Sequence, residues 1–115
     1  MQRIHCQDPW FSKIKSGVKK IEGRKRSDKY LSLKPGDLLE FHYKDESFIT
    51  KVNKVSEYPD LEAYLRSEGF QKALPGVSSL EKAMEIYHSW NDPESLRKSG
   101  GFLAIHIQVV SDSNL

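Results

Sequence analysis

Apolar residues recur along this chain with two periods, and their alternation divides it into short elements. Residues 3–6 read as a brief strand. Trp10, Phe11 and Ile14 then fall at helical spacing on one side of a segment that follows Asp8 and Pro9 and meets Gly17. An acidic cap, a proline at the first helical position and a glycine suited to a left-handed stop predict a helix there. Residues 18–26 alternate as a strand does, with Lys20, Glu22 and Arg24 on one face and Ile21 and Gly23 on the other. Pro35-Gly36-Asp37 is a turn signature that launches a strand over 38–43, where Leu39, Phe41 and Tyr43 alternate with Leu38, Glu40 and His42. Residues 44–47 read as a hairpin connection and 48–55 as the return strand. A helix over 60–68 carries Leu61, Tyr64 and Leu65 on one side and stops at Gly69. A second, over 78–89, opens with a Ser78/Glu81 capping box and directs Leu80, Ala83, Met84 and Tyr87 inward. Gly100-Gly101 precedes the most apolar strand, 102–110, whose alternate residues are Leu103, Ile105, Ile107 and Val109. Residues 111–115 read as a polar, frayed tail after a domain spanning 1–110.

The order strand, helix, strand, hairpin, two helices, strand lacks the regular alternation of a doubly wound parallel sheet. It predicts an α+β fold: a small, mostly antiparallel sheet curled into a β-barrel, with helices inserted. Curling lets a short chain bury one face of every strand without long open edges. The length of 115 residues sets a single domain, and 37% hydrophobic with 10% aromatic residues excludes a disordered chain. No apolar run reaches the roughly 18–20 residues that span a bilayer. The first residues show no secretory pattern, and Cys6 is the one cysteine, so no intrachain disulfide forms. An intracellular protein, cytoplasmic or nuclear, is the expectation.

Charge changes this picture more than composition does. Residues 1–34 hold ten Lys/Arg against three Asp/Glu, whereas residues 35–115 hold eight against thirteen. A basic end of this kind suggests a phosphate-bearing partner, or else a solvated basic loop. Within it, Lys19, Glu22 and Arg24 place a cation, a carboxylate and a guanidinium inside six residues. Strict alternation puts Lys19 opposite Glu22, so convergence needs Lys19 at a loop edge or a bulge. Arg24 could then grip a phosphate or orient Glu22, and Glu22 could accept from a base or hydroxyl or act as a general base. The alternative is an ion-pair ladder with no ligand. Lys20, Arg26 and Lys29 add cations near Tyr30, and Trp10 and Trp90 offer stacking faces, although Trp10 equally suits a core. The four histidines are scattered without ligand spacing, so no metal is expected. No glycine-rich phosphate loop or hydrolase nucleophile elbow occurs, and no cofactor is implied.

The string Gly17, Lys19, Glu22, Arg24, following the aromatic-bearing segment 7–14 and followed by Gly36-Asp37, resembles the signature of ASCH domains of the PUA-like superfamily. Phe102-Leu103-Ala104-Ile105 is similar to the closing strand of that family. The resemblance implies a small β-barrel with a helix after the first strand and an RNA-binding or RNA-processing role. Carried onto this chain, it makes Lys19, Glu22 and Arg24 the floor of a cleft, with Lys20, Arg26, Lys29 and Trp10 on its walls or rim. RNA, single-stranded more than duplex, or a nucleotide is the implied ligand. Some ASCH-like proteins are acetylcytidine amidohydrolases using a lysine, a threonine and a distant glutamate. Lys19 matches their lysine, Glu22 stands where the threonine is expected, and Glu68, Glu81 and Glu85 lie in the region of the glutamate. Others resemble metal-independent ribonucleases. If the protein is an enzyme, Lys19, Glu22 and Arg24 are its catalytic set. A protein partner on the helices of 60–90 is a third possibility.

Overall fold

The apolar strand near the C-terminus organises the molecule. In the computed structural model, which describes residues 1–112 and the side chains of residues 1–110, β5 (Phe102–Asp112) lies between β4 (Glu46–Tyr58) and β2 (Ile21–Lys25). β3 (Leu38–Tyr43) pairs antiparallel with β4, and β1 (Gln2–His5) adds a parallel edge to β3. The order β1-β3-β4-β5-β2 is a five-stranded sheet with β1 and β2 at its two edges. It is a curled half-barrel, in keeping with the mostly antiparallel, barrel-like α+β sheet expected. Long β4 makes the curl: residues 46–51 pair with β3, its whole length from Phe48 pairs with β5, and register shifts interrupt it at Ile49/Thr50 and Val52/Lys54. Bulges bend a strand and increase its twist.

The core fills the inner face of the curled sheet. β5 is buried on both faces over Phe102, Leu103, Ala104 and Ile105, while Leu38 and Lys51 on the outer face of β3 and β4 stay exposed. Leu39, Phe41, Phe48, Leu103 and Ile105 are completely buried. α1 (Trp10–Lys15) sets Trp10, Phe11 and Ile14 into that core. α3 (Leu61–Glu68) packs Leu61, Tyr64 and Leu65 against it, as their spacing predicts. α5 (Leu80–Trp90) buries Ala83 and Tyr87, while Leu80 and Met84 are only partly covered. Short α2 (Asp28–Leu31), α4 (Phe70–Ala73) and α6 (Pro93–Ser99) complete the fold. Among the described residues, no helix is long and apolar enough to cross a membrane.

Several boundaries depart from the sequence reading for local reasons. α1 starts at Trp10, not Pro9, because the Asp8 carboxylate accepts from the Ser12 N–H and hydroxyl at 2.8 and 2.7 Å, a turn further on. β2 starts at Ile21, not residue 18: Gly17 takes φ +87° and the Lys19 N–H bonds the Lys13 carbonyl, holding 17–20 in a loop. The α5 cap is Ser79, not Ser78, its side chain accepting from the Lys82 N–H. The hairpin turn is shorter than expected, with Tyr43 already opposite Glu46. The strand β5 continues to Asp112 through what was read as tail, and the remainder of that tail, 113–115, lies outside the described residues.

At the C-terminal end of α3, Glu68 accepts from Tyr58 Oη at 2.5 Å and from His106 Nε2 at 3.2 Å. Burial opposes the Glu68 charge, but these two bonds together with the positive charge of His106 and Lys54 hold its pKa below the ordinary 4.5. A carboxyl depressed by folding stabilises the native state fully above its unfolded pKa and loses that contribution as pH falls through the folded value. Glu68→Gln should therefore flatten the loss of stability between about pH 5 and pH 3. The check is the urea midpoint against pH; a variant as acid-sensitive as wild type would remove Glu68 from the acid limb.

Candidate functional site

The two sheet edges approach one another where the half-barrel stays open, and the sequence-predicted cluster lies in that seam. On β2, Glu22 stands opposite Ile105 and Arg24 opposite Leu103, which turns both toward the interior of the curl. Ile21 and Gly23 face the other way. Gly23 lies against Tyr64, whose hydroxyl would be 2.5 Å from a Cβ at this position.

Glu22 Oε2 accepts from Arg24 Nε at 2.9 Å and Nη2 at 2.6 Å. Arg24 Nη2 also donates to the His5 carbonyl at 2.9 Å, so one guanidinium ties β2 to the end of β1 across the seam. Glu22 Oε1 lies 3.7 Å from Lys19 Nζ. The Lys19 ammonium is 1% exposed and donates to the carbonyls of Ile21 and Ala73, both at 2.5 Å. It joins β2 to the end of α4 through two of its three donors, and burial of the side chain with Glu22 beside it keeps the third from open solvent. The i,i+3 spacing reaches because Lys19 belongs to the loop before β2, not to the strand.

These neighbours shift titration in opposite senses. Burial pushes the Lys19 ammonium below its usual range, partly countered by Glu22. Burial also works against Arg24, but the charge and hydrogen bonds of Glu22 outweigh it and raise its pKa. The Cys6 thiol beside them is pushed up to about 12, by burial first and then by Glu22. It is a neutral, small apolar group at pH 7, not a nucleophile.

The seam opens into a pocket of about 390 Å³. Glu22 and Arg24 form its floor, and Trp10, Tyr87, Trp90 and Tyr30 form aromatic walls, with Asn91 and Gln7 beside them. Trp90 meets Trp10 edge-on at 6.5 Å and Tyr87 edge-on at 5.3 Å between centroids. Trp10 is 8% exposed and Trp90 40%, so one is inner wall and the other rim. Lys13 supports the inner wall: its Nζ lies 5.0 Å from the Trp10 ring centre and donates to the Pro75 carbonyl.

Four of the seven residues expected at the site therefore come together: Trp10, Lys19, Glu22 and Arg24. Three do not line this pocket. Lys20 faces a groove at the opposite end of β2, Arg26 lies 3.3 Å from Glu57, and Lys29 sits over the Tyr30 ring at 5.2 Å. The charge asymmetry is also reduced by folding, because Glu40, Glu46 and Glu57 from the acidic segment pair with Arg3, Lys15 and Arg26. Lys25 and Tyr30, from the basic and aromatic run 24–30, also line the pocket, as does Asn91, which carries no site signal in the sequence. Lys25 is held there by Ser95 Oγ of α6 at 2.9 Å, a contact with no local sequence signal. Of the glutamates weighed for a catalytic triad, Glu81 and Glu85 are exposed and Glu68 is engaged at the C-terminal end of α3; none lines the pocket.

Comparison with known proteins bears on the family and the fold. Residues 4–110 match the ASCH domain family. The crystal structure of hypothetical protein PH0355 superposes with a TM-score of 0.86 and 33% identity, covering 95% of this chain and 98% of that one. The solution NMR structure of protein PF0455 from Pyrococcus furiosus gives 0.75 and 32% identity over 96% of this chain and 98% of that one. Among curated proteins no relative matches. With the half-barrel, the seam and the matching strings all accounted for, the chain belongs to the ASCH domain family.

Proposed function

We propose that this ASCH domain binds single-stranded RNA, or a nucleotide, by taking one unstacked base into the seam pocket. The observation that carries the reading is the combination of a Glu22–Arg24 floor with walls of Trp10, Tyr87 and Trp90 in about 390 Å³. Pockets that hold a small ligand are mostly apolar, with few polar groups that fix orientation. Aromatic walls stack on any base, a contribution of roughly 1–3 kcal/mol per base. Arg24 Nη1 makes no hydrogen bond among the described residues and is available to a carbonyl or phosphate oxygen. The free lone pairs of Glu22 can accept from a base amine or a ribose hydroxyl.

A catalytic use of the same residues has less support. Lys19, which matches the lysine of the amidohydrolases, is engaged by two carbonyls, and Glu22 is engaged by Arg24. Binding is the reading that leaves these contacts intact.

Both tryptophans of the chain line the pocket, so intrinsic fluorescence reports on it directly. Mononucleotides and short single-stranded RNA should quench it saturably, while a duplex of the same sequence binds more weakly because its bases remain stacked. Quenching equal for duplex and single strand, or absent for both, would contradict the reading.

A further inference from the structure

One of the three nucleic-acid candidates that the pocket leaves unused, Lys20, faces a second concavity. This groove of about 380 Å³ lies on the far side of Lys19, whose buried side chain borders both spaces. Its floor is apolar, from Ile14, Ile107 and Val109. Its polar rim is Lys15, Lys20, Asn53 and Gln108. Lys51 is not part of the lining but stands directly opposite Gln108 in the β4–β5 register, on the same face of the sheet, and is exposed.

Three features distinguish this groove from an ordinary solvated surface. First, Lys20 and Lys51 are exposed and form no ion pair among the described residues, which leaves two free ammonium groups by an apolar floor. Lys15 alone on this rim has a counter-charge, Glu46 at 3.3 Å, and both side chains are largely exposed. Second, Asn53 is the extra residue of the β4 bulge: Val52 pairs with Ile107 and Lys54 with His106, so Asn53 has no partner on β5. Bulges commonly redirect a side chain beside a site, and this one presents an amide with both donor and acceptor to the rim. Third, the ground around it is held rigidly yet left open. The Lys20 carbonyl accepts from the Ile107 N–H at 3.0 Å, while no atom lies within 4 Å of a Cβ built on Gly17.

We infer that this groove is a second subsite for the phosphodiester backbone of the strand whose base enters the seam pocket, with Lys20 and Lys51 taking phosphates and Asn53 and Gln108 the sugar or base edges. The inference rests on the reading of the pocket as a nucleic-acid site. Compact ammonium groups on flexible stems suit a non-directional phosphate contact, and side-chain amides suit hydroxyl and base edges. Because the groove borders the pocket only through Lys19, a mononucleotide seated in the pocket would not reach it, whereas an oligonucleotide would.

The test compares a mononucleotide with a single-stranded hexanucleotide against wild type, K20A/K51A and a control, K72A/K82A. The control removes the same net charge from exposed lysines that line neither space. K20A/K51A should leave mononucleotide affinity unchanged and weaken the hexanucleotide by roughly tenfold at about 50 mM salt. It should reduce the salt slope by about 1.4, since each phosphate contact on a single strand contributes about 0.7. The control should change neither. Equal losses in K20A/K51A and K72A/K82A, or no loss in either, would overturn the subsite while leaving a mononucleotide-binding pocket intact. If instead no mononucleotide binds but the hexanucleotide still depends on Lys20 and Lys51, the pocket reading fails and the groove stands.

Discussion

Replacing Glu22 by alanine is expected to cost about 3–5 kcal/mol of folding stability, because it strands two cations in the seam. Lys19 is 1% exposed and Arg24 29%, and Glu22 is the carboxylate that both face. Removing one member of a buried ion pair leaves the desolvation penalty of the others without its compensation. Against the roughly 5–15 kcal/mol that holds a typical domain, such a loss is large. Glu22→Gln keeps the shape and an amide oxygen that can still accept from Arg24, so its cost should be closer to the roughly 1.5–3 kcal/mol of a charge-assisted bond. Urea midpoints for the two variants provide the measurement. An alanine variant within about 0.5 kcal/mol of wild type, the range of an ordinary surface substitution, would mean that the carbonyls of Ile21, Ala73 and His5 satisfy the cations unaided.

The second large effect is expected at Gly23. A Cβ there would stand 2.5 Å from Tyr64 Oη, 2.7 Å from its Cζ and 2.8 Å from a ring carbon of Phe102. Tyr64 is wholly buried and its hydroxyl lies 3.0 Å from that of Tyr87, so the ring has nowhere to move without displacing a pocket wall. Overpacking a tight core costs about 1–3 kcal/mol, and Gly23→Ala should fall at the upper end of that range or beyond it. The pocket should loosen as well, since Tyr87 follows Tyr64. Tyr64→Phe removes the nearest of the three clashing atoms. The double variant Gly23→Ala/Tyr64→Phe should therefore lose less than the sum of the two single losses. Strict additivity in that cycle would show that the clash is relieved by backbone movement instead.

These two positions also show what the sequence discloses and what it withholds. The face assignment on β2 was legible, since strand alternation alone sets Glu22 and Arg24 together and away from Gly23. The identity of β5 as a central strand followed from Leu103, Ile105 and Ile107, all of which are buried. What could not be read was the fate of Lys19. An ammonium becomes a buried strut only because the Ala73 carbonyl arrives from 54 residues away, and no local pattern encodes that meeting. Tyr87 was legible as a core residue of α5, but its second role as a pocket wall depends on where β1 and β2 fail to close. The helix α6 was missed although its signals are present: Asp92 accepts from the Ser95 N–H, Pro93 opens the helix and Gly100 closes it at φ +80°. By contrast, Arg26 and Lys29 looked like site cations because charge runs carry no record of the partners that folding assigns to them.

The central claim is that the seam between β1 and β2 takes a base of single-stranded RNA. Its most direct test follows the indole Nε1–H signals of Trp10 and Trp90 and the Arg24 Nε–H signal by NMR as a short single-stranded RNA is added. The account predicts that these three signals shift together and saturate together, with smaller changes elsewhere on the sheet. Saturable shifts confined to other surfaces, with both indoles and Arg24 unmoved, would contradict it.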